Sequence, residues 1–357
     1  MKIQFIVYLV LVSFLTVTCN KEAEKPIFDQ TPYILKLNGD LPDPIIPADN
    51  ILTKEKVALG RMLFYEKKLS KDLTQACGDC HIQMDAFTDI RPFSIGIEKK
   101  EGKRNAMPIF NLAYHTNGFF WDGRAPLLRD QALKPIQDPL EMNETLPNMV
   151  SKLQKDIRYT NQFIRAFGND TVNSLKVSLA LEQFMMSIVS HDSKYDKYLK
   201  GEVNFTTEEL RGKELFFAET DPLNNLKGAE CFHCHGGFNF TNNEYMNNGL
   251  DEEVNFRDFG RFNVSKKESD RATFKVPSLR NISMTAPYMH DSRFNTLEEV
   301  INHYNSEVKK SSTTSEILQH NFSGLHLTDQ DKIDLIAFLK TLTDLTYLNN
   351  SEYKSPF

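Results

Sequence analysis

The pentapeptides Cys77-Gly78-Asp79-Cys80-His81 and Cys231-Phe232-His233-Cys234-His235 each place two thiols three residues apart, with an imidazole directly after the second. In that spacing the thiols can add across the two vinyl groups of a haem while the histidine binds its iron from the proximal side. A bare C-x-x-C would instead read as a zinc half-site or a redox dithiol. Zinc needs two further ligands per centre. His233 offers one at the second motif, but the first motif has no such neighbour, and a single cysteine, Cys19, is left over. The chain is therefore expected to carry two covalent c-type haems, one on Cys77, Cys80 and His81 and one on Cys231, Cys234 and His235.

The segments that must position these motifs repeat with them. The motifs start 154 residues apart, and each follows a G-x-x-L-F segment: Leu59-Gly60-Arg61-Met62-Leu63-Phe64 and Arg211-Gly212-Lys213-Glu214-Leu215-Phe216. A glycine inside a helix costs roughly 1 kcal/mol relative to alanine, so close helix packing is its expected reason. Thr206-x-x-Glu209 and Thr296-x-x-Glu299 are capping boxes that open helices. Residues 172–199 read as one long amphipathic helix through Val172, Leu175, Leu179, Phe184, Ile188 and Tyr195. A last helix from Thr328 carries Ile333, Ile336, Leu339 and Leu342 on one face. Strand signals are poor, and polar connections such as 241–272 lack periodicity, as loops that wrap a cofactor do. The expected fold is all-α, with two tandem cytochrome c-like haem domains and long loops. The N-terminal domain spans 48–204 and the C-terminal domain 205–346, with a boundary near Gly201 to Thr207. A linker at 20–47 and a tail at 347–357 flank them.

The start of the chain bears on where haem would be attached. Lys2 precedes an apolar run from Phe5 to Val17, shorter than the ~20 residues of a membrane span, so residues 1–19 read as an export signal. Cys19 closes the run in Thr16-Val17-Thr18-Cys19-Asn20. It is either a lipoprotein cleavage and anchoring site or a cysteine within an ordinary signal peptide. A chain of 357 residues, 40% hydrophobic, has room for two cores. Its net charge of −6, without a basic tract, argues against nucleic acid as a partner.

Further motifs carry a family resemblance. Arg104-Asn105, Phe120-Trp121-Asp122-Gly123-Arg124, Leu140-Glu141-Met142, Phe274 to Asn281 and Thr285-Ala286-Pro287-Tyr288 resemble, in order and spacing, the bacterial di-haem cytochrome c peroxidase and MauG family. The likeness runs from about residue 48 to 343. It implies a periplasmic enzyme that reduces hydrogen peroxide to water, or uses it as an oxidant, at the first haem. Electrons then arrive through the second haem from a small cytochrome or similar donor, and members are often homodimers. By the same resemblance Glu141 is the distal acid–base group, Gln131 a second residue of the distal pocket, and Trp121 the indole between the haems. Asn105, Thr285 and Pro287 match the family's interdomain calcium site, and hard oxygen donors suit calcium.

Two positions depart from the peroxidase pattern. Where peroxidase members offer the first haem a removable histidine, this chain has Ile97, which cannot bind iron. The nearest downstream alternatives are Met107 and His115, the latter read as a structural histidine. The first iron is thus expected to be open. Where many members place a methionine on the second iron, this chain has Tyr304, the MauG arrangement. Leu297, Ile301 and Tyr304 share one helical face, with His303 turned about 100° away. The alternative is a core tyrosine beside a five-coordinate iron. The leading function is a peroxidase, beside a MauG-like enzyme that oxidises a protein substrate. A non-catalytic di-haem carrier is disfavoured, since a carrier has no use for a distal glutamate.

Overall fold

Short, individually capped helices strung between long loops make up the chain in the computed structural model, which describes residues 25–37, 41–220 and 226–357. The proposed export signal, Cys19 and the first residues of the linker lie outside the described residues. Two helix pairs carry the architecture. Lys54–Phe64, capped by the Thr53 hydroxyl, packs on Ser174–Ser187, capped by Asn173. Thr207–Phe217 packs on Asp329–Thr341, and both are opened by capping boxes, at Thr206/Glu209 and Thr328/Asp331.

Glycine sets both crossings. A Cβ on Gly60 would lie 1.9 Å from the Ala180 carbonyl oxygen, and one on Gly212 would lie 1.9 Å from that of Asp334. Any side chain there would drive the helices apart. The buried stripe of the last helix follows from this crossing: Leu335, Phe338, Leu339 and Leu342 face inward, while Ile333 is 55% exposed. The sequence expectation that Ile333 belongs to the core face is therefore corrected, as is that for Leu175, 58% exposed on the outer side of its helix.

Each pair centres its own apolar core. Phe64, Phe87, Phe110, Phe163 and Phe184 fill the first, and Phe216, Phe240, Leu335 and Phe338 the second. Tyr347, Leu348 and Tyr353 from the end of the chain pack into the first core rather than the second. Near the start, the Tyr33 N–H donates to Leu52 O at 3.1 Å. Both ends thus strap the N-terminal half.

The stretch 172–199 is two helices, not one. Ser174–Ser187 ends at an extended Ile188, and Lys194–Leu199 starts afresh under a Ser193/Asp196 capping box. Tertiary partners override the helical periodicity here. The Ser190 N–H donates to Asn111 Oδ1 at 2.8 Å, and those of His191 and Asp192 to the buried Asp344 carboxylate at 2.8 and 3.0 Å. The knot has an internal repeat. Asn111 and Asn281 are both left-handed, at φ 54° and 59°, and their N–H groups donate to Ile188 O and Leu342 O. Each asparagine pins the end of the helix that closes its half.

Strand content among the described residues is one two-stranded antiparallel pair, Tyr245–Met246 with Phe274–Lys275. The fold is all-α with long loops, as expected. No helix among the described residues is long and apolar enough to cross a membrane.

Candidate active site

The two motif histidines are set up alike. His81 Nδ1 lies 3.0 Å from Phe87 O and His235 Nδ1 lies 3.2 Å from Phe240 O. Both phenylalanines are buried and left-handed, at φ 55° and 52°, which turns their carbonyls back onto the rings. A proton held on Nδ1 by a carbonyl leaves the Nε2 lone pair for a metal. Burial lowers the proton affinity of both rings, that of His235 to about 4, so the imidazoles stay neutral and ligating.

The cysteines suit thioether attachment better than zinc. Burial, with the charge of the neighbouring cysteine, pushes the Cys77 and Cys231 thiols up to about 12, and burial pushes Cys234 to about 11. Among the described residues, the one cluster of His, Cys, Asp and Glu donors close enough to hold an ion includes none of these cysteines. The donor sets fit haem.

A cavity of about 1420 Å³ opens beside Cys80 and His81 and is lined by Gln131, Pro135 and Glu141. Cys77 faces the adjoining space with Phe64, Met142 and Met185. Glu141 is half-buried. Burial, reinforced by the charge of Asp138 and opposed by Arg124, pushes its carboxyl up to about 7. The loop that presents it is fixed by backbone bonds: Glu141 N–H to Asp138 O at 3.0 Å, and Ile97 N–H to Glu141 O at 2.9 Å. Gly96 makes this approach feasible, since a Cβ there would sit 2.1 Å from Leu140 O. Ile97 therefore lies against the Glu141 loop, while Met107 and His115 both line the cavity. His115 stacks on Phe119, and burial, with the Lys275 charge, lowers its pKa to about 3.

Trp121 stands in the wall of the same cavity. Its indole N–H donates to Asn105 O at 2.9 Å, and its own carbonyl accepts from Lys275 N–H at 2.7 Å, so both halves of the chain hold it. Arg104 braces the turn, with bidentate bonds to Asp258 at 2.6 and 2.8 Å and a third to Asp122 at 2.7 Å. Asn105 also meets Pro287, its amide donating to Pro287 O at 3.2 Å and to Ser292 Oγ at 3.0 Å. Thr285, two residues earlier, is buried, with its hydroxyl 3.3 Å from Ile282 O.

At the second motif, Tyr304 belongs to a π-helical turn, His303–Glu307, that follows the α-helix Leu297–Asn302. The helix expected from Thr296 thus changes pitch where the candidate ligand sits, as π turns at functional positions do. Burial pushes the phenol pKa upward, and the nearby Cys234 and Cys231 sulfurs add to the shift. Asn248 holds the first two residues of the turn: its Nδ2 donates to the Tyr304 hydroxyl at 3.3 Å, and its carbonyl lies 3.0 Å from His303 Nε2.

Asn248 and Pro135 escaped the sequence reading. Asn248 lies in the aperiodic 241–272 stretch, which offers no local signal. Pro135 had one. The turns Phe119–Ala125 and Tyr288–Phe294 repeat, each closed by a bridge and left-handed at two matching positions, Phe120 and Gly123 against Met289 and Ser292. Pro135 follows Ala125 by ten residues, as Tyr304 follows Phe294. In the first half, a side chain that cannot ligate iron holds the position of Tyr304.

Comparison with known proteins agrees with this geometry. The di-haem cytochrome c peroxidase family matches residues 54–204. The methylamine utilization protein MauG of Methylophilus methylotrophus is 33% identical, over 84% of this chain and 86% of its own. Cytochrome c551 peroxidase of Nitrosomonas europaea is 33% identical, over 84% of each chain. A solved MauG-like protein associated with microbial copper homeostasis superposes with a TM-score of 0.82 at 33% identity, covering 91% of this chain and 99% of its own. With two haem-binding motifs in matching halves, the chain belongs to the di-haem cytochrome c peroxidase family.

Proposed function

We propose that this peroxidase cleaves hydrogen peroxide in the cavity beside His81, with Glu141 as its acid–base group. The observation that carries the reading is a carboxyl held near neutrality in the wall of the cavity that His81 faces. Haem, when bound through Cys77, Cys80 and His81, supplies the iron that holds peroxide and accepts its oxidising equivalents. The Glu141 carboxylate takes a proton from one peroxide oxygen and returns it to the other, which departs as water. Gln131, in the wall of the same cavity, orients the peroxide through its amide. Neither Ile97 nor Pro135 offers an atom that could compete with peroxide for the iron. Two electrons and two protons complete the reduction to two waters, the electrons entering at the half held by Cys231, Cys234 and His235. Trp121 carries them across, its indole fixed by Asn105. A small reduced cytochrome or similar donor supplies them.

In this reading residues 48–204 form the peroxide-cleaving domain and 205–346 the electron-receiving domain. Calcium, ligated by Asn105 side-chain oxygen and the carbonyls of Thr285 and Pro287, ties the two together. That ligand set requires the Asn105 amide to turn its oxygen toward Pro287. The protein acts in the periplasm, exported by residues 1–19 and anchored through a lipidated Cys19, and pairs as a homodimer.

Tyr304 favours a second reading, in which oxidising equivalents are withdrawn from a protein substrate as by a MauG-like enzyme. Peroxide turnover with reduced cytochrome c separates the two. Sustained oxidation of the cytochrome supports the peroxidase. Rapid peroxide consumption by the ferric protein without cytochrome oxidation supports the MauG-like reading, and no reaction with peroxide leaves only a carrier.

A further inference from the structure

A second group of donor atoms lies outside the peroxide cavity. Glu219, Glu230 and His233 each bring one ligand atom within 4.8 Å of the other two. His233 Nε2 is 3.1 Å from Glu219 Oε2, and His320 Nδ1 is 2.7 Å from Glu230 Oε1. Three separate segments meet here: the chain after helix Thr207–Phe217, the second C-x-x-C-H motif, and the turn Glu316–Phe322. We propose that Glu219, Glu230, His233 and His320 form a binding site for a divalent first-row transition ion of the zinc and copper class.

The donor chemistry selects that class. Two imidazoles with two carboxylates suit zinc or copper(II), whereas calcium and magnesium take oxygen ligands. Four donors about 2.0–2.2 Å from a tetrahedral ion lie roughly 3.4 Å from one another. The His233–Glu219 pair at 3.1 Å is close to that separation, and His320 joins the group through its contact with Glu230 at 2.7 Å.

Glu230 supplies an independent reason. Its side chain is only 5% exposed, and Oε1 accepts from the Thr220 N–H at 2.9 Å and meets His320; among the described residues no lysine or arginine pairs with it. A buried carboxylate without a fixed cation is costly, and a divalent ion compensates it. Its backbone is also left-handed, at φ 53°, a conformation that a non-glycine residue adopts at some cost in strain.

The internal repeat shows that the fold does not require this cluster. Cys77 matches Cys231, so Ala76 stands where Glu230 stands and Asp79 where His233 stands. In the first half Asp79 merely caps the motif, accepting from the Ala76 N–H at 2.8 Å. The second half builds the same corner from an acid and an imidazole that reach outward to two further donors. Haem attachment uses Cys231, Cys234 and His235 and leaves His233 free for this role.

Isothermal titration of the chelator-treated holoprotein with zinc chloride tests the site. Both haems are first verified by the pyridine haemochrome, and excess calcium chloride is kept present to fill any oxygen-ligand site. Wild-type protein should bind one zinc per chain. Glu219→Gln combined with His320→Ala should weaken that binding by on the order of 100-fold or more, with haem content unchanged. Glu219→Gln alone, at an exposed side chain, should weaken it measurably and guards against misfolding of the double variant. Absence of a saturable zinc equivalent in wild type, or equal affinity in Glu219→Gln and wild type, would overturn the proposal.

Discussion

The Ile97 N–H donates to the Glu141 carbonyl across 2.9 Å, so the loop that lacks an iron-binding side chain is the loop that positions the proposed acid–base group. Gly96 permits the approach. Gly96→Ala would set a methyl 2.1 Å from Leu140 O, and the two loops must separate. Overpacking of this kind typically costs about 1–3 kcal/mol. The variant should unfold at lower denaturant and, with both haems retained, react more slowly with peroxide. Wild-type stability and rate together would show that the two loops move independently.

Glu141 should also set a pH dependence. Its carboxyl is held up to about 7, and only the ionised form can take a proton from peroxide. The rate of the ferric protein with peroxide should therefore fall as pH drops through about 7. Stopped-flow rates across pH 5 to 9 check this, and Glu141→Gln should lose the inflection.

Lys275 is buried, and its ammonium donates to Thr116 O at 2.6 Å, with Asn243 O at 3.4 Å, which joins the two halves beside Trp121. Lys275→Met leaves buried carbonyls unpaired and should destabilise the protein by roughly 1–3 kcal/mol at pH 7. Burial lowers the lysine pKa to about 8 from 10.5, so the folded state sheds its proton first. Between those pH values the unfolded chain holds more protons, and the lysine's contribution to stability rises with pH. Denaturation of both proteins at pH 7 and about pH 9.5 should show this rise in wild type alone.

Tyr304 and a methionine at its position push the second haem in opposite directions. Phenolate favours ferric iron, whereas a thioether favours ferrous iron and raises the potential. Tyr304→Met should raise the potential of the second haem, and the wild-type protein should lack the near-infrared magnetic circular dichroism band of His/Met ligation. That band in wild type, or an unmoved potential in the variant, would make Tyr304 a core residue and remove the main support for MauG-like chemistry.

What could be read from the sequence was local or repeated. The two C-x-x-C-H motifs, the capping boxes, and Gly60 and Gly212 each declare themselves within a few residues, and the structure gives the glycines the close packing their cost implied. Glu141 was proposed only through the family resemblance of Leu140-Glu141-Met142, because a loop glutamate has no periodicity of its own. The break at Ile188 was hidden because Asn111 and Asp344, far away in sequence, supply its hydrogen bonds. Asn248 was hidden for the same reason. The packing of Tyr347 and Tyr353 into the first core depends on the chain's return path, which no local pattern encodes.

The central claim is that Glu141 moves the proton during peroxide cleavage. Stopped-flow mixing of the ferric di-haem protein with hydrogen peroxide, wild type against Glu141→Gln, tests it most directly. The substitution is nearly isosteric, so both haems and the fold should persist while the rate falls by roughly 10²–10⁴-fold. An unchanged rate in a variant with full haem content would contradict the account.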